Sequence, residues 1–168
     1  MKKIIILNGA ARKTGNTAKL IQAFTEGAKS AGHEVKEFYL FDMNIHDCKG
    51  CLLAGKDPKS PCTQKDDMEQ IYAAFADCDV VVFASPVYFW TISATLKTAV
   101  DRLYAEVECL GYTKFARECA LLMTAGGDDY SNALFWYNKF APNLHWKNRG
   151  TVLGAKLTEE AKKLGATL

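Results

Sequence analysis

The sequence predicts an α/β layered domain built on a parallel sheet, and three observations carry that prediction. Five strand candidates alternate with helix patterns along the 168 residues. Three of those strands are short continuous apolar runs, the pattern of strands covered on both faces. The intervening segments place apolar residues on single stripes at helical spacing.

Ile4 to Leu7 is the first buried strand and empties at once into Asn8-Gly9-Ala10-Ala11-Arg12-Lys13-Thr14-Gly15-Asn16-Thr17. The helix that follows sets Leu20, Phe24, Gly27 and Ala31 on one stripe and stops at Gly32. Val35 to Leu40 alternates, as an edge strand does. From Phe41 to Lys65 no periodic pattern holds, a connection longer than most in a compact domain, and such a loop usually has a task. Asp66 with Glu69 makes an approximate capping box before the helical stripe of Met68, Ile71, Tyr72 and Phe75. Val80 to Ala84 is the next buried strand, and Leu96, Val100 and Leu103 form a third stripe behind Ser93. Ala120 to Thr124 is the third apolar strand. Helices are expected from about Asn132 to Ala141 and from Thr158 to Lys163, where Thr158 can cap and Glu159 and Glu160 suit the positive end of the dipole. A fifth strand falls near Thr151 to Leu153 or a little before. Tyr104 to Phe115, with Phe135, Trp136 and Tyr137, supply apolar surface that the pattern assigns to neither core nor interface.

The length suits one domain, 1–168, with a proper core. Lys plus Arg number 21 against 19 for Asp plus Glu, so the net charge of +2 gives no electrostatic reason to invoke nucleic acid or an anionic membrane. The first apolar run breaks at Asn8-Gly9, short of a secretory core, and no later run approaches a membrane span. Cytoplasmic residence is the expectation, with the cysteines mostly reduced.

In a doubly wound sheet ligands bind outside the carboxyl ends of the strands, and three loops leave strands there. The loop from Asn8 to Thr17 combines two glycines, hydroxyl and amide side chains and two cations, and its backbone N–H groups can converge on an oxyanion where a helix begins. It has neither the spacing of a triphosphate loop nor G-x-G-x-x-G, so a terminal monophosphate fits better. The alternative is a tight turn at Gly9 and Gly15, with Asn16 or Thr17 as an ordinary helix cap. With no cysteine in this loop a tyrosine phosphatase is excluded, and without acidic residues at the end of the first strand so is a receiver domain. Ser85-Pro86-Val87-Tyr88-Phe89-Trp90 places three aromatics after a buried strand, suited to a planar ring or, alternatively, to core or interface. Thr124-Ala125-Gly126-Gly127-Asp128-Asp129-Tyr130 lets backbone approach a ligand and offers polar groups to a second substrate, although alone it reads as a turn.

Together with Leu96-Lys97-Thr98-Ala99-Val100-Asp101-Arg102, these loops resemble the NADPH-dependent FMN reductase family and its iron–sulfur flavoprotein relatives over most of the chain. The resemblance implies a flavodoxin-like three-layer fold whose five-stranded parallel sheet runs 2-1-3-4-5, binding FMN. It implies that Arg12, Thr14, Asn16 and Thr17 hold the phosphate, and that Pro86, Val87, Tyr88, Phe89 and Trp90 line the ring. Gly126, Gly127 and Asp128 correspond to the family's third loop. Ala10 departs from the pattern, which usually has Ser there, and removes one hydroxyl donor. The implied activity passes hydride from NAD(P)H to bound FMN and then to a small acceptor such as a flavin, quinone or nitro or azo compound, with no catalytic side chain needed and a homodimer as the expected assembly. A flavodoxin-type electron carrier and a redox-sensing flavin module remain alternatives, although such carriers tend to be strongly acidic.

Cys48-Lys49-Gly50-Cys51 and Cys62 lie in the long loop. Iron–sulfur relatives carry a Cys-x-x-Cys-x-x-Cys run and a fourth cysteine downstream; here the third place is Ala54. A [4Fe–4S] cluster would need a further ligand such as Asp57 or His46. A zinc site of the three cysteines with His46, a redox-active pair and a remnant that merely packs are the other readings. The remnant is preferred, and no metal is assigned.

Overall fold

The branched apolar residues of the predicted strands form the middle of one sheet, in a computed structural model that describes all 168 residues. The elements are β1 (Lys3–Asn8), α1 (Asn16–Ser30), β2 (Glu34–Tyr39), α2 (Met68–Asp77), β3 (Val80–Pro86), α3 (Ala94–Arg102), α4 (Tyr104–Phe115), β4 (Glu118–Thr124), α5 (Ser131–Asn143), β5 (Lys147–Leu153) and α6 (Thr158–Ala166). All strand pairs are parallel and the order is β2-β1-β3-β4-β5, as the resemblance implies.

Alternate side chains of each central strand feed two different cores. Ile5, Leu7, Val81, Phe83, Leu121 and Met123 face α2 to α5, where Phe83 packs on Tyr137, Phe140 and Trp146. Ile4, Ile6, Val80, Val82, Ala120 and Leu122 face α1 and α6. That second layer is thin because two glycines let backbones touch. A Cβ at Gly27 of α1 would lie 1.9 Å from the Lys162 carbonyl oxygen, and one at Gly165 of α6 would lie 2.1 Å from that of Phe24.

Four local expectations are corrected. Tyr104–Phe115 is itself a helix, broken at Gly111 (φ 72°, ψ 159°), with Val107 and Phe115 buried and Tyr104 and Tyr112 exposed. Thr158 opens α6 rather than capping it, since Leu157 holds the cap position and no side chain bonds there. β5 starts at Lys147, earlier than its apolar end suggested. Asp66 and Glu69 form no capping box: Glu69 turns to Ser60 and Lys65, while Asp66 takes a distant partner.

That partner is Arg102, at the end of α3. Its guanidinium grips Asp66 with two bonds, Nη1 to Oδ2 at 2.6 Å and Nη2 to Oδ1 at 3.1 Å, and both side chains are 1% exposed. Nη1 also donates to the His46 carbonyl (2.8 Å). Burial alone would raise the Asp66 carboxyl, but Arg102 and the amides of His46 and Met68 outweigh it and hold the group below its usual range. The irregular stretch ahead of α2 is thereby fastened to α3.

Candidate functional site

The carboxyl ends of β1, β3 and β4 lie side by side, so their three following loops meet in one cleft of about 180 Å³. Ala10, Ala11, Arg12, Gly15, Asn16 and Thr17 come from the first loop. Pro86, Val87 and Tyr88 come from the second, and Thr124, Ala125 and Gly126 from the third.

Asn8 shapes the first loop from beneath. Fully buried, it accepts from the Ala10 amide (2.9 Å) in an Asx-type turn and donates to Glu37 (2.7 Å), while Gly9 donates to the Ala84 carbonyl (2.8 Å). Tyr39 adds a bond from its hydroxyl to the Ala11 carbonyl (3.0 Å). The loop ends at Gly15, which caps α1 without any side-chain bond, and no acidic residue occupies the first turn. Asn16 and Thr17 are therefore not caps. The amides of Arg12, Lys13 and Thr14, and those of Asn16, Thr17 and Ala18, have no partner in the chain, which leaves the positive end of α1 facing a cleft beside an exposed Arg12. Thr17 is buried, and its hydroxyl meets that of Thr124 at 2.8 Å, tying the start of α1 to the end of β4.

The second loop is built more tautly. Val87 donates to the Thr124 carbonyl (2.7 Å), and the Ser85 hydroxyl accepts from the Ser93 amide (2.8 Å) while donating to the Pro86 carbonyl (2.7 Å). Ser93 in turn caps α3 by accepting from Leu96 (3.2 Å). Between these anchors Tyr88 and Thr91 close a two-residue hairpin with bonds of 3.0 and 3.2 Å. Its tip is Phe89 and Trp90, both left-handed (φ 47° and 63°). Primed turns of this kind go to Asn, Asp and Gly; bulky side chains there cost roughly 1–2 kcal/mol each. In the third loop the Ala125 amide donates to the Tyr130 hydroxyl (3.1 Å), and Asp129 accepts from Ser131 (2.9 Å), a bond that holds its carboxyl below the ordinary range.

Of the residues expected at the site, the fold gathers Arg12, Asn16, Thr17, Pro86, Val87, Tyr88 and Gly126 around the cleft. Thr14 instead borders a neighbouring groove between α1 and β2, beside Lys13, Tyr39 and Asp42. Phe89 and Trp90 stand outside the cleft, 92% and 57% exposed. Gly127 and Asp128 are exposed beyond Gly126 and do not line the cleft. Thr124 stands in the sequence as the end of an apolar strand and the first residue of the third loop, without a role of its own; its contact with Thr17 depends on how the strands are ordered.

The cysteines do not assemble a cluster site. Cys48, Cys51 and Cys62 border one narrow pocket of about 40 Å³, but no three His, Cys, Asp or Glu side chains converge to hold a metal. Cys62 accepts from Arg102 (3.5 Å) and Cys51 faces the Thr63 hydroxyl (3.8 Å). A bond from the Leu53 backbone and that contact hold the Cys51 thiol below its usual range. Neither His46 nor Asp57 completes a ligand set with the cysteines, and the side chain of Asp57 accepts from the Lys59 amide. The residues present do not fit a four-ligand iron–sulfur cluster.

The chain is 36% identical over 105 residues to an iron–sulfur flavoprotein of Archaeoglobus fulgidus, a match covering 61% of this chain and 46% of that protein. It thus spans about half the length of that relative. A putative NAD(P)H-dependent FMN-containing oxidoreductase of Bacillus subtilis is 26% identical over 131 residues, 76% of this chain and 68% of that protein. In structure the fold matches the NAD(P)H:quinone oxidoreductase of Methanothermobacter marburgensis with a TM-score of 0.77 at 17% identity, covering 98% of this chain and 94% of that one. The sequence pattern of the NADPH-dependent FMN reductases matches residues 2–139. The chain belongs to the NADPH-dependent FMN reductase family.

Proposed function

We propose that the chain binds FMN in this cleft and acts as an NAD(P)H-dependent oxidoreductase toward a small acceptor such as a flavin, quinone or nitro or azo compound. The observation that carries the reading is the meeting of three strand-end loops at an uncapped helix N-terminus with a free cation beside it. Arg12 and the amides of Asn16 and Thr17 hold the phosphate, with Thr17 kept in place by Thr124. A cleft of about 180 Å³ suits the phosphate-bearing tail rather than a whole flavin, since sites that enclose such ligands run to roughly 300 Å³ and more. The ring therefore lies at the open mouth, against Pro86, Val87 and Tyr88 on one side and Gly126 to Asp128 on the other. When bound, FMN supplies the hydride acceptance and two-electron delivery, so the chain needs only to bind, orient and shield.

Fluorescence titration of FMN into the apoprotein tests the site. Arg12→Ala should weaken binding by about tenfold, the loss expected for one charge-assisted contact, whereas Thr14→Ala should change it less than about twofold because that side chain borders the other groove. Full affinity in Arg12→Ala, or no binding by the parent protein, refutes the assignment. Bleaching of the bound flavin by NADPH in stopped flow supports the enzyme; bound flavin that NADPH does not bleach identifies an electron carrier instead.

A further inference from the structure

We propose that Cys51 and Cys62 form a reactive dithiol that reduces hydrogen peroxide and closes to a disulfide, a chemistry separate from that proposed for the cleft. Cysteines that serve only to pack are buried, as Cys78 and Cys119 are, whereas Cys48 and Cys51 are exposed and Cys62 is half-buried. Burial pushes the thiols of Cys78 and Cys119 up to about 11 and raises that of Cys109 as well. Cys51 moves the other way, with the Leu53 amide as the larger cause and the Thr63 hydroxyl as the second.

Two arms of the long loop bring the pair together. The Gly55 amide donates to the Pro61 carbonyl (2.7 Å), closing the loop one residue before Cys62, and the Cys51 sulfur lies 3.8 Å from the hydroxyl of Thr63, one residue after it. Cys51 and Cys62 thereby border one pocket. Cys48 borders it too, but its sulfur accepts from the Gly50 amide of its own arm (3.4 Å) and bonds nothing on the other. On either side of Cys51 the backbone is left-handed, at Gly50 (φ 61°) and at Leu52 (φ 52°), and the exposed Leu52 side chain gains no packing in return. The opposite arm is held by Arg102, which is buried against Asp66 and donates to the Cys62 sulfur (3.5 Å).

The size of the pocket, about 40 Å³, selects the substrate. One water needs roughly 10–15 Å³, so a molecule of two heavy atoms fits and a ring does not. Hydrogen peroxide has that size and oxidises thiolates by two electrons. The Cys51 thiolate attacks one peroxide oxygen, the O–O bond breaks, and the leaving hydroxide takes up the proton the thiol had released. The Cys62 thiol then attacks the sulfenic sulfur, and the hydroxyl leaves with the thiol proton as a second water. Two thiols and one peroxide give one disulfide and two waters, and a small dithiol restores the pair by exchange.

The test uses the whole chain, reduced with dithiothreitol, freed of it and exposed to one equivalent of hydrogen peroxide without denaturant. Thiol titration should show two thiols lost per chain at a rate about tenfold or more above that of free cysteine, and peptide mapping should find Cys51 joined to Cys62 within one chain. Cys51→Ser should lose the fast phase. Cys62→Ser should keep it and stop at a Cys51 sulfenic acid that dimedone traps, while Cys48→Ser should behave as the parent. Loss of thiols no faster than free cysteine, a bond from Cys48 to Cys51 or between chains, or a fast phase that survives in Cys51→Ser overturns the proposal. So does iron or zinc held by the freshly purified protein and lost in Cys51→Ser, which would make these thiols metal ligands. None of these readouts involves FMN, so their failure is distinct from failure of the cleft to bind it.

Discussion

Glu106 of α4 is fully buried and neither of its carboxylate oxygens has a hydrogen-bond partner. Burial pushes its carboxyl up to about 8, with Arg117 opposing and Asp57 reinforcing the rise. The folded protein therefore binds this proton more tightly than the unfolded chain, whose ordinary value is 4.5. The contribution to stability is fully present below pH 4.5, declines as the pH rises toward 8 and is lost beyond it. Glu106→Gln should remove that slope, raising the stability at pH 8 by roughly 2–4 kcal/mol relative to the parent and little at pH 4.5. Thermal melts at the two pH values check this; equal gains at both would show that packing, not ionisation, is responsible. Such a residue was invisible in the sequence, where nothing marks Glu106 off from the other carboxylates. Arg12, Asn16 and Thr17 were legible because their chemistry is local, a cation and polar groups where a strand turns into a helix. Thr124 and the Arg102–Asp66 pair were not, because each is defined by a partner from a distant element, 107 and 36 positions away.

At the scale of elements, the contact of α1 with α6 is the least forgiving in the fold. Gly27→Ala sets a methyl group against the Lys162 carbonyl, and a helix backbone cannot yield as a side-chain end can. A loss of about 2–3 kcal/mol is expected, read as a lower urea midpoint with an unchanged slope; an unaffected midpoint would mean that α6 moves freely on α1. The strands β1, β3 and β4 were readable because burial on both faces leaves an unbroken apolar run. α4 was not, because Gly111 interrupts it and its apolar residues face both the core and solvent, so no single stripe forms. The boundary of β5 was missed for a related reason: Lys147, Asn148 and Arg149 precede its apolar end, and the register shifts where it pairs with Cys119 and Ala120.

At the scale of the molecule, the sheet order came from resemblance and not from periodicity, since alternation of strands and helices does not fix which strands are neighbours. The apolar surface left over in the sequence divides in the fold, with Trp136 half-buried between the two groups. Tyr137 and Phe115 are core, whereas Tyr104, Tyr112 and Phe135 remain exposed. Tyr104 and Tyr112 border a groove of about 480 Å³ with Val100, Leu103, Val107 and Phe140. A homodimer that covers this region is the expected assembly, and light scattering at micromolar concentration should return twice the 18.6 kDa chain mass; a monomer would count against it. No helix of the chain is long and apolar enough to cross a membrane.

The close seating of α6 on α1 also bears on where the working unit ends. The family pattern stops at residue 139, before β5 and α6, yet α6 is the helix against which α1 lies, and α1 carries the loop that reaches the cleft. The last thirty or so residues are thus foundation for the first thirty. A domain cut at the edge of the recognisable pattern would keep every residue proposed to touch the ligand and lose the support that holds the first of them in place.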